Sequence, residues 1–424
     1  MYHIKKSRIG RHLLFSTLCL IAILASIKIY ISENLKQDHK NDLIELSNVE
    51  YGLFNIDKWE FVFADVIAKK IQDFNVDELD KEGMRKKVAT LLKSLIDDYE
   101  KSFKKRNSGS LSGSIKNFLY SSVSAFDDIR KDIPLFTDKI VTFLDNKNNR
   151  EVVRDYLITQ LKTYSENTFS KTDYTNFEAI IAKYNGESQT NTTLLLQNKI
   201  EQIDAENSVY KITLLTVFLL YILLLIFFKR FSKLEYVLSI IFSFSLLLIG
   251  ILLPMIEIDA RISEISFTFL NESISFKDQV LYYKSKSIFE VVILMMSQQK
   301  IELLIIGGLI FLFSVIFPLS KLISTVLYVV HSKLKKYKVV HFFVFKTGKW
   351  SMADVFVIAV FMAFIGFDGI INEQLQQIES VTKTVDILTT NKSNLLFSFF
   401  SFTGFVIFSI LTSQKIHNSS ISGK

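Results

Sequence analysis

Six runs of this chain are long and apolar enough to cross the roughly 30 Å hydrocarbon core of a bilayer, which takes about 20 helical residues. They are Leu13–Ile31, Ile212–Phe228, Leu234–Pro254, Leu303–Val329, the shorter Met352–Phe367, and Leu395–Leu411. Proline is rare (3) and glycine sparse (14), which favours long helices over β-rich architecture. Hydrophobic residues make up 49% of the chain while 22% is charged, a mixture that calls for membrane helices plus a polar domain. The expected fold is all-α: a polytopic membrane protein of about six transmembrane helices with an inserted extracytoplasmic helical bundle.

The net charge of +7 invites a nucleic-acid reading, but the basic residues lie directly beside apolar runs. Lys5, Lys6, Arg8 and Arg11 precede the first run. Lys229, Arg230 and Lys233 separate the second from the third, and Lys333, Lys335, Lys336, Lys338, Lys346 and Lys349 separate the fourth from the fifth. All three clusters fall on one side, which the positive-inside rule makes cytoplasmic. Both termini are then cytoplasmic, and residues 32–211, 255–302 and 368–394 face outward. The first run has a basic flank and a long apolar core without an obvious small-x-small cleavage site, so it reads as an uncleaved anchor. The expected organisation is a basic N-terminus and anchor (1–33), an outward, periplasmic bundle (34–208), a second span (209–229), a four-helix membrane module (234–413) and a cytoplasmic tail (414–424).

The outward segment is periodic at helical spacing. Trp59, Val62, Phe63, Val66, Ile67, Ile71 and Phe74 form one stripe; Val88, Leu91, Leu92, Leu95 and Ile96 another; Val152, Val153, Leu157 and Leu161 a third. Residues 75–78 and 107–114 read as breaks, and Asp132-Ile133-Pro134 as a helix start. The last helix, near Thr192–Tyr210, is expected to run unbroken into the second span. His39 stands isolated, and the acidic pairs Asp97-Asp98 and Asp127-Asp128 read as solvated faces. The single cysteine, Cys19, lies in an apolar run, which excludes an intramolecular disulfide and a cysteine-based zinc site. No metal and no cofactor are expected.

The stretch from Ser287 to Phe367 carries the candidate chemistry. Ser287–Ser324 reads as one apolar helix holding Pro318 and Lys321, and the next helix opens on Trp350, Ser351 and Asp354. An ionisable residue within a membrane helix is costly and so marks a candidate site. Pro318 removes a backbone hydrogen bond and should kink its span, freeing a carbonyl near Phe313–Ser314. Ser314, Ser320, Ser324 and Thr325 supply hydroxyls to satisfy such groups. Lys321 lies about two turns from the cytoplasmic end, and two roles stand open for it: snorkelling to that interface, or an interior charge facing Asp354. Ser351-Met-Ala-Asp354 is a capping box, with Trp350 as an interfacial anchor. Glu257, Asp259, Glu290, Glu302 and Asp368 cluster at the outer ends of spans, as candidates to rim an outward cavity. Ser401 is the polar position of the last span expected to face the bundle.

The blocks LLIGILLPMIEID (247–259), KSIFEVVILM (286–295), FLFSVIFPLSKLI (311–323) and GKWSMADVFVIAV (348–360) resemble those of paraquat-inducible protein A-like membrane proteins, as does the Phe-rich last span. FPLSKL and WSMADVF are the specific part. The resemblance implies a bacterial inner-membrane protein that works in lipid transport or envelope integrity beside a periplasm-spanning mammalian-cell-entry (MCE) domain partner. The chain departs from the family in lacking cysteine-pair zinc ribbons and a second membrane module, and in having the outward bundle and two further spans. The leading expectation is a transport component that holds a phospholipid among spans three to six, with Lys321 at the head group or in a charge-linked switch with Asp354. The alternative is a membrane-anchored sensor or scaffold whose outward bundle binds a ligand or partner protein. No Ser/His/Asp set, HExxH or GxxxxGK[ST] occurs, so an enzyme is not expected and any ATP dependence would need another subunit.

Overall fold

The computed structural model describes residues 2–48, 51–52, 64–66, 68–70, 81–104, 130–144, 152–160, 173–228, 230–269, 272–298, 300–331, 334, 337–346, 353–380 and 385–421. Five described helices are long and apolar enough to cross a membrane: Ile9–Leu46, Gln189–Phe227, Lys233–Leu252, Ile301–Val330 and Phe397–Ser419. The chain is a multi-pass, predominantly helical membrane protein. Of the fifth expected span, Met352–Phe367, the described residues fall within a 28-residue helix, Ala353–Ser380.

Helix α1 (Tyr2–Leu46) does not stop at Ile31 but continues about four turns beyond its apolar run. It is followed by α2 (Lys81–Lys104) and α3 (Ile133–Leu144), which pack together through Arg85–Asp138 (2.8 Å). Pro134 sits in the first turn of α3, as expected. Helix α4 (Thr175–Lys183) leads into α5 (Gln189–Phe227), which runs without interruption from the polar segment through the membrane. The expected breaks at 75–78 and 107–114 lie outside the described residues.

Helices α1 and α5 pair along their length. Inside the membrane α1 inserts Phe15, Leu18, Ala22, Ala25 and Ile29 against Leu214, Val217 and Tyr221 of α5. Beyond it the pairing becomes polar. Lys36 meets Asp204 at 2.7 Å, Lys211 meets Glu33 at 2.6 Å, and Asn207 donates to Glu33 at 2.7 Å. Farther out Leu43, Leu46, Ile180 and Leu196 close a small apolar cluster. The two helices thus form a stalk that carries the membrane pair outward.

Helix α6 (Lys233–Leu252) starts in a capping box: Ser232 accepts from the Glu235 N–H, and the Glu235 carboxylate accepts from the Ser232 N–H. The chain then leaves the membrane into a long antiparallel hairpin, β1 (Ile256–Phe269) and β2 (Glu272–Lys286). After it come α7 (Ile288–Ser297), α8 (Ile301–Phe311), a π-helical turn (Leu312–Ile316), α9 (Phe317–Val330) and α10 (Ala353–Ser380). Strand β3 (Val385–Asn391) adds antiparallel to β1, so the sheet order is β2-β1-β3, with the two-residue β4 (Asn394–Leu395) also pairing β1. Helix α11 (Phe397–Ile421) closes the chain.

The segments 255–302 and 368–394, expected to face outward, hold a sheet that a purely helical architecture does not include. Its signal is present: in IEIDARI, Ile256, Ile258, Ala260 and Ile262 alternate with polar residues at the strand period of two. The single apolar helix expected over Ser287–Ser324 is also corrected. It breaks at Gln298–Lys300 into α7 and α8, which fold against each other.

One apolar core joins α1, α5, α6 and α11, with Ile288 and Val292 of α7 and Leu322 of α9. The abundant phenylalanines fill this core. Tyr221 stacks on Phe242 at 4.5 Å, and Phe15 and Phe408 meet that pair edge-on. Gly250 lets α11 approach α6, where Ser401 donates to the Leu246 carbonyl (3.1 Å) and Ser398 to that of Pro254. The α1–α5 pair is thus packed into the module rather than tethered beside it.

The helix ends mark two faces. On the basic face Arg11 donates to the Arg230 carbonyl (3.0 Å) and Lys233 to that of Val330 (3.2 Å). On the sheet face Lys211 lies 5.9 Å over the Phe397 ring, and Met255 N–H donates to the Lys286 carbonyl (3.1 Å). The 20 residues of α6 between them span about 30 Å, the thickness of a hydrocarbon core.

Candidate functional site

The effect of Pro318 is visible in the backbone before it. Without an N–H, Pro318 cannot bond the Ser314 carbonyl, and the ladder widens into the π turn. Phe317 N–H donates to Leu312, five residues back, instead of four. The disturbance expected before Pro318 is this widened turn. Ser314 lies inside the turn with its side chain fully buried, and its hydroxyl has no hydrogen-bond partner among the described residues.

Two turns on, Lys321 is only 5% exposed. The Lys321 side chain is covered by protein. Pro318, Ser324 and Thr325 are buried with it, and the Thr325 hydroxyl donates to the Lys321 carbonyl at 2.6 Å. Ser320 is half-buried. Ser314, Pro318, Lys321, Ser324 and Thr325 recur at three- and four-residue spacing along the buried face of α9 and the turn before it, a polar stripe in an otherwise apolar helix. Helix α9 packs on α6, which buries Ser239 and Ser243. Trp350 and Ser351 lie outside the described residues. Asp354 is the second residue of α10, and its side chain is not among those described.

The acidic residues expected to rim a cavity have individual structural duties. Glu257 accepts from Lys40 (2.5 Å) and from the Tyr283 hydroxyl (3.2 Å), which in turn accepts from Gln37 (3.0 Å). Burial, with the Glu257 charge adding to it, pushes the Tyr283 hydroxyl above the usual tyrosine range, which keeps it a donor. This network ties the stalk to the sheet, and the Val280 N–H reinforces it by donating to the Ser47 carbonyl (2.8 Å). Asp259 takes both nitrogens of the Arg261 fork at 2.7 and 2.8 Å. Glu290 caps α7 in a box with Ser287. Asp368 accepts from Asn391 (2.8 Å), linking α10 to β3.

A buried charge at the basic face escaped the sequence reading. The Glu235 side chain is 1% exposed and meets Arg11 at 2.5 Å, with His12 Nδ1 at 3.6 Å. The Arg11 guanidinium also sits 4.4 Å over the Phe228 ring. The S-x-x-E spacing of Ser232 and Glu235 was a legible helix start. Its ion-pair partner lies 224 residues away and was not. His39, read as isolated, shares a hydrogen bond with the Tyr184 hydroxyl (2.8 Å), which donates to Asp42 (2.7 Å).

Residues 274–376 match the family model of paraquat-inducible protein A. The matched paraquat-inducible protein A segment runs from β2 through most of α10. It contains the π turn, Pro318, Lys321 and Asp354, and so coincides with the polar stripe. It takes in the KSIFEVVILM, FLFSVIFPLSKLI and GKWSMADVFVIAV blocks and leaves out LLIGILLPMIEID and the last span. The stalk, α1 and α5 lie outside it. No curated protein and no solved structure gives a significant match.

Proposed function

We propose that this chain is an inner-membrane component of a lipid-transport or envelope-maintenance system, handling phospholipid beside a periplasm-spanning MCE-domain partner. The observation that carries the reading is Lys321: a buried lysine on the same helix face as the π turn and as Ser314, whose hydroxyl has no hydrogen-bond partner among the described residues, within the paraquat-inducible protein A segment. A charge retained in such a place has to be stabilised by its surroundings and is a natural contact for a phosphate head group or an acidic partner. Asp354, one helix on, is the acidic residue proposed to share a charge-linked switch with it. The MCE-domain partner rests on the family resemblance alone. Under the positive-inside rule the basic face is cytoplasmic and the sheet and stalk are periplasmic. No catalytic role is assigned.

The test is purification of the full chain in nanodiscs with mass spectrometry of bound lipid and protein, for the wild type and Lys321→Ala. Co-purified phospholipid lost in an inserted, folded Lys321→Ala protein, with a weakened envelope barrier in those cells, is the expected result. An unchanged barrier and unchanged lipid would refute the site.

The unbroken helices of the stalk favour a second reading, a sensor or scaffold in which the outward bundle binds a ligand or partner. The rings of Tyr51 and Tyr174 lie 5.8 Å apart in a tilted contact, so the two ends of the inserted segment lie together. Replacing residues 53–172 by a short Gly-Ser linker should keep transport if the membrane module is the working part, and abolish all function if the bundle is.

A further inference from the structure

The hairpin of α7 and α8 is too apolar for where it stands. Helix α9 ends at Val330 on the basic face, against Lys233. Counting back about 20 residues, one hydrocarbon thickness, reaches Ile310. A tilt of about 20° adds only a residue or two. The backbone stays helical through the π turn, so the helix does not reverse and most of α8 lies beyond the bilayer on the sheet face. Helix α7 gives the same answer from the other side. It begins at Ile288, two residues after Lys286, which is level with Met255 at the end of the α6 span. Running antiparallel to α8, it must travel outward, and its 10 residues carry the tip about 15 Å from that level. The tip itself is polar, with Ser297, Gln298, Lys300 and Glu302 exposed.

Below that tip the surface is apolar. Ile293, Leu294, Ile301, Leu304 and Ile305 are between 47% and 71% exposed. Gly307, whose Cβ would lie 3.0 Å from that of Met295, closes the hairpin so that these side chains point away from its seam. Apolar exposure continues down the same helix through Leu309, Ile316 and Ile323, where it faces the hydrocarbon. The apolar patch outside is therefore an extension of the lipid-facing surface. Contiguous apolar surface of this kind is costly in water and marks an interaction site.

We infer that the α7–α8 hairpin is a ramp for phospholipid acyl chains, sheltering them as a lipid passes between the outer leaflet of this membrane and the aqueous space around the sheet. The occupant follows from continuity with the bilayer-facing surface of α9. The inference rests on the lipid reading above for its purpose, and on the helix ends for its position.

The test uses the full chain in phospholipid nanodiscs. A photo-crosslinking phenylalanine analogue is placed at Ile305, at Ile323 as the bilayer reference and at exposed Glu201 of the stalk as the aqueous one. Separately, Gln298→Cys in a Cys19→Ala background is probed with a membrane-impermeant maleimide. The ramp requires phospholipid adducts at Ile305 approaching those at Ile323, together with rapid labelling at Gln298→Cys. Polar replacement of Ile301 and Leu304 by Asn should reduce the Ile305 lipid adduct about fivefold, the loss of roughly 1 kcal/mol of apolar contact. Adducts at Ile305 to protein alone would assign the patch to a partner and overturn the inference. Protection of Gln298→Cys would place the tip in the bilayer and also overturn it. Lipid adducts at Ile305 that persist while Lys321→Ala changes nothing would leave the ramp standing and remove the proposed site.

Discussion

Gly250 gives the sharpest test of how the membrane core is packed. A Cβ at this position would lie 2.7 Å from the Cβ of Phe402, 2.9 Å from its Cα and 3.0 Å from its N. Two of these atoms are backbone, so no rotamer change relieves the overlap, and α11 must move away from α6 by several tenths of an ångström. Overpacking of this kind costs about 1–3 kcal/mol. Separation also stretches the Ser401 bond to the Leu246 carbonyl, now 3.1 Å, and interhelical hydrogen bonds in membranes average about 0.6 kcal/mol. Against this, alanine has up to about 1 kcal/mol better helix propensity than glycine. The net expectation for Gly250→Ala is a loss of about 1–3 kcal/mol. Gly308 supplies the control, because a Cβ there meets nothing within 4 Å. Gly308→Ala should be neutral or slightly stabilising. Reversible unfolding by steric trapping in bicelles reads both. Gly250→Ala as stable as Gly308→Ala would refute the close approach of α6 and α11.

Three further outcomes follow from the polar contacts. Arg11→Ala leaves the buried Glu235 carboxylate without its guanidinium and should cost about 3 kcal/mol, most of it recovered in the Arg11→Ala/Glu235→Gln double variant, as read by the same unfolding equilibrium. Tyr283→Phe removes the hydroxyl between Gln37 and Glu257 and should cost about 1 kcal/mol, seen as faster amide exchange at Val280, where α1 meets the sheet. Burial, then the charges of Lys199 and Lys183, hold His39 below the usual histidine range. The folded stalk therefore binds fewer protons than the unfolded chain below about pH 6.5, and its stability should be flat above that pH and fall toward pH 5. Amide exchange of α4 and the outer part of α5 measures this, and His39→Gln should remove the slope.

The extra length of α1 and the α7–α8 break show where reading residues in order reaches its limit. Both lie in apolar or amphipathic runs whose hydropathy is the same whether a helix continues, stops or turns back. The turn at Gln298–Lys300 is polar, but three polar residues between apolar runs do not say whether the second run continues outward or returns. Its direction follows from Val330 lying against Lys233 and from Lys286 lying level with Met255.

What the amino-acid order by itself determined is local. Membrane spans are sums of transfer free energies over about 20 consecutive residues, and the C-terminal ends of α5, α6 and α9 fall within a residue or two of the runs that predict them. The unbroken passage of α5 into the membrane, the start of α3 at Pro134 and the disturbance before Pro318 are likewise properties of short windows. Tertiary structure alone decided the rest. It buried Lys321, brought Arg11 to Glu235 and Lys40 to Glu257, and joined β3 to β1 across more than a hundred residues. Those outcomes depend on which faces meet, and the free energy of a buried charge or an unpaired strand edge is set by a neighbour from a distant part of the chain.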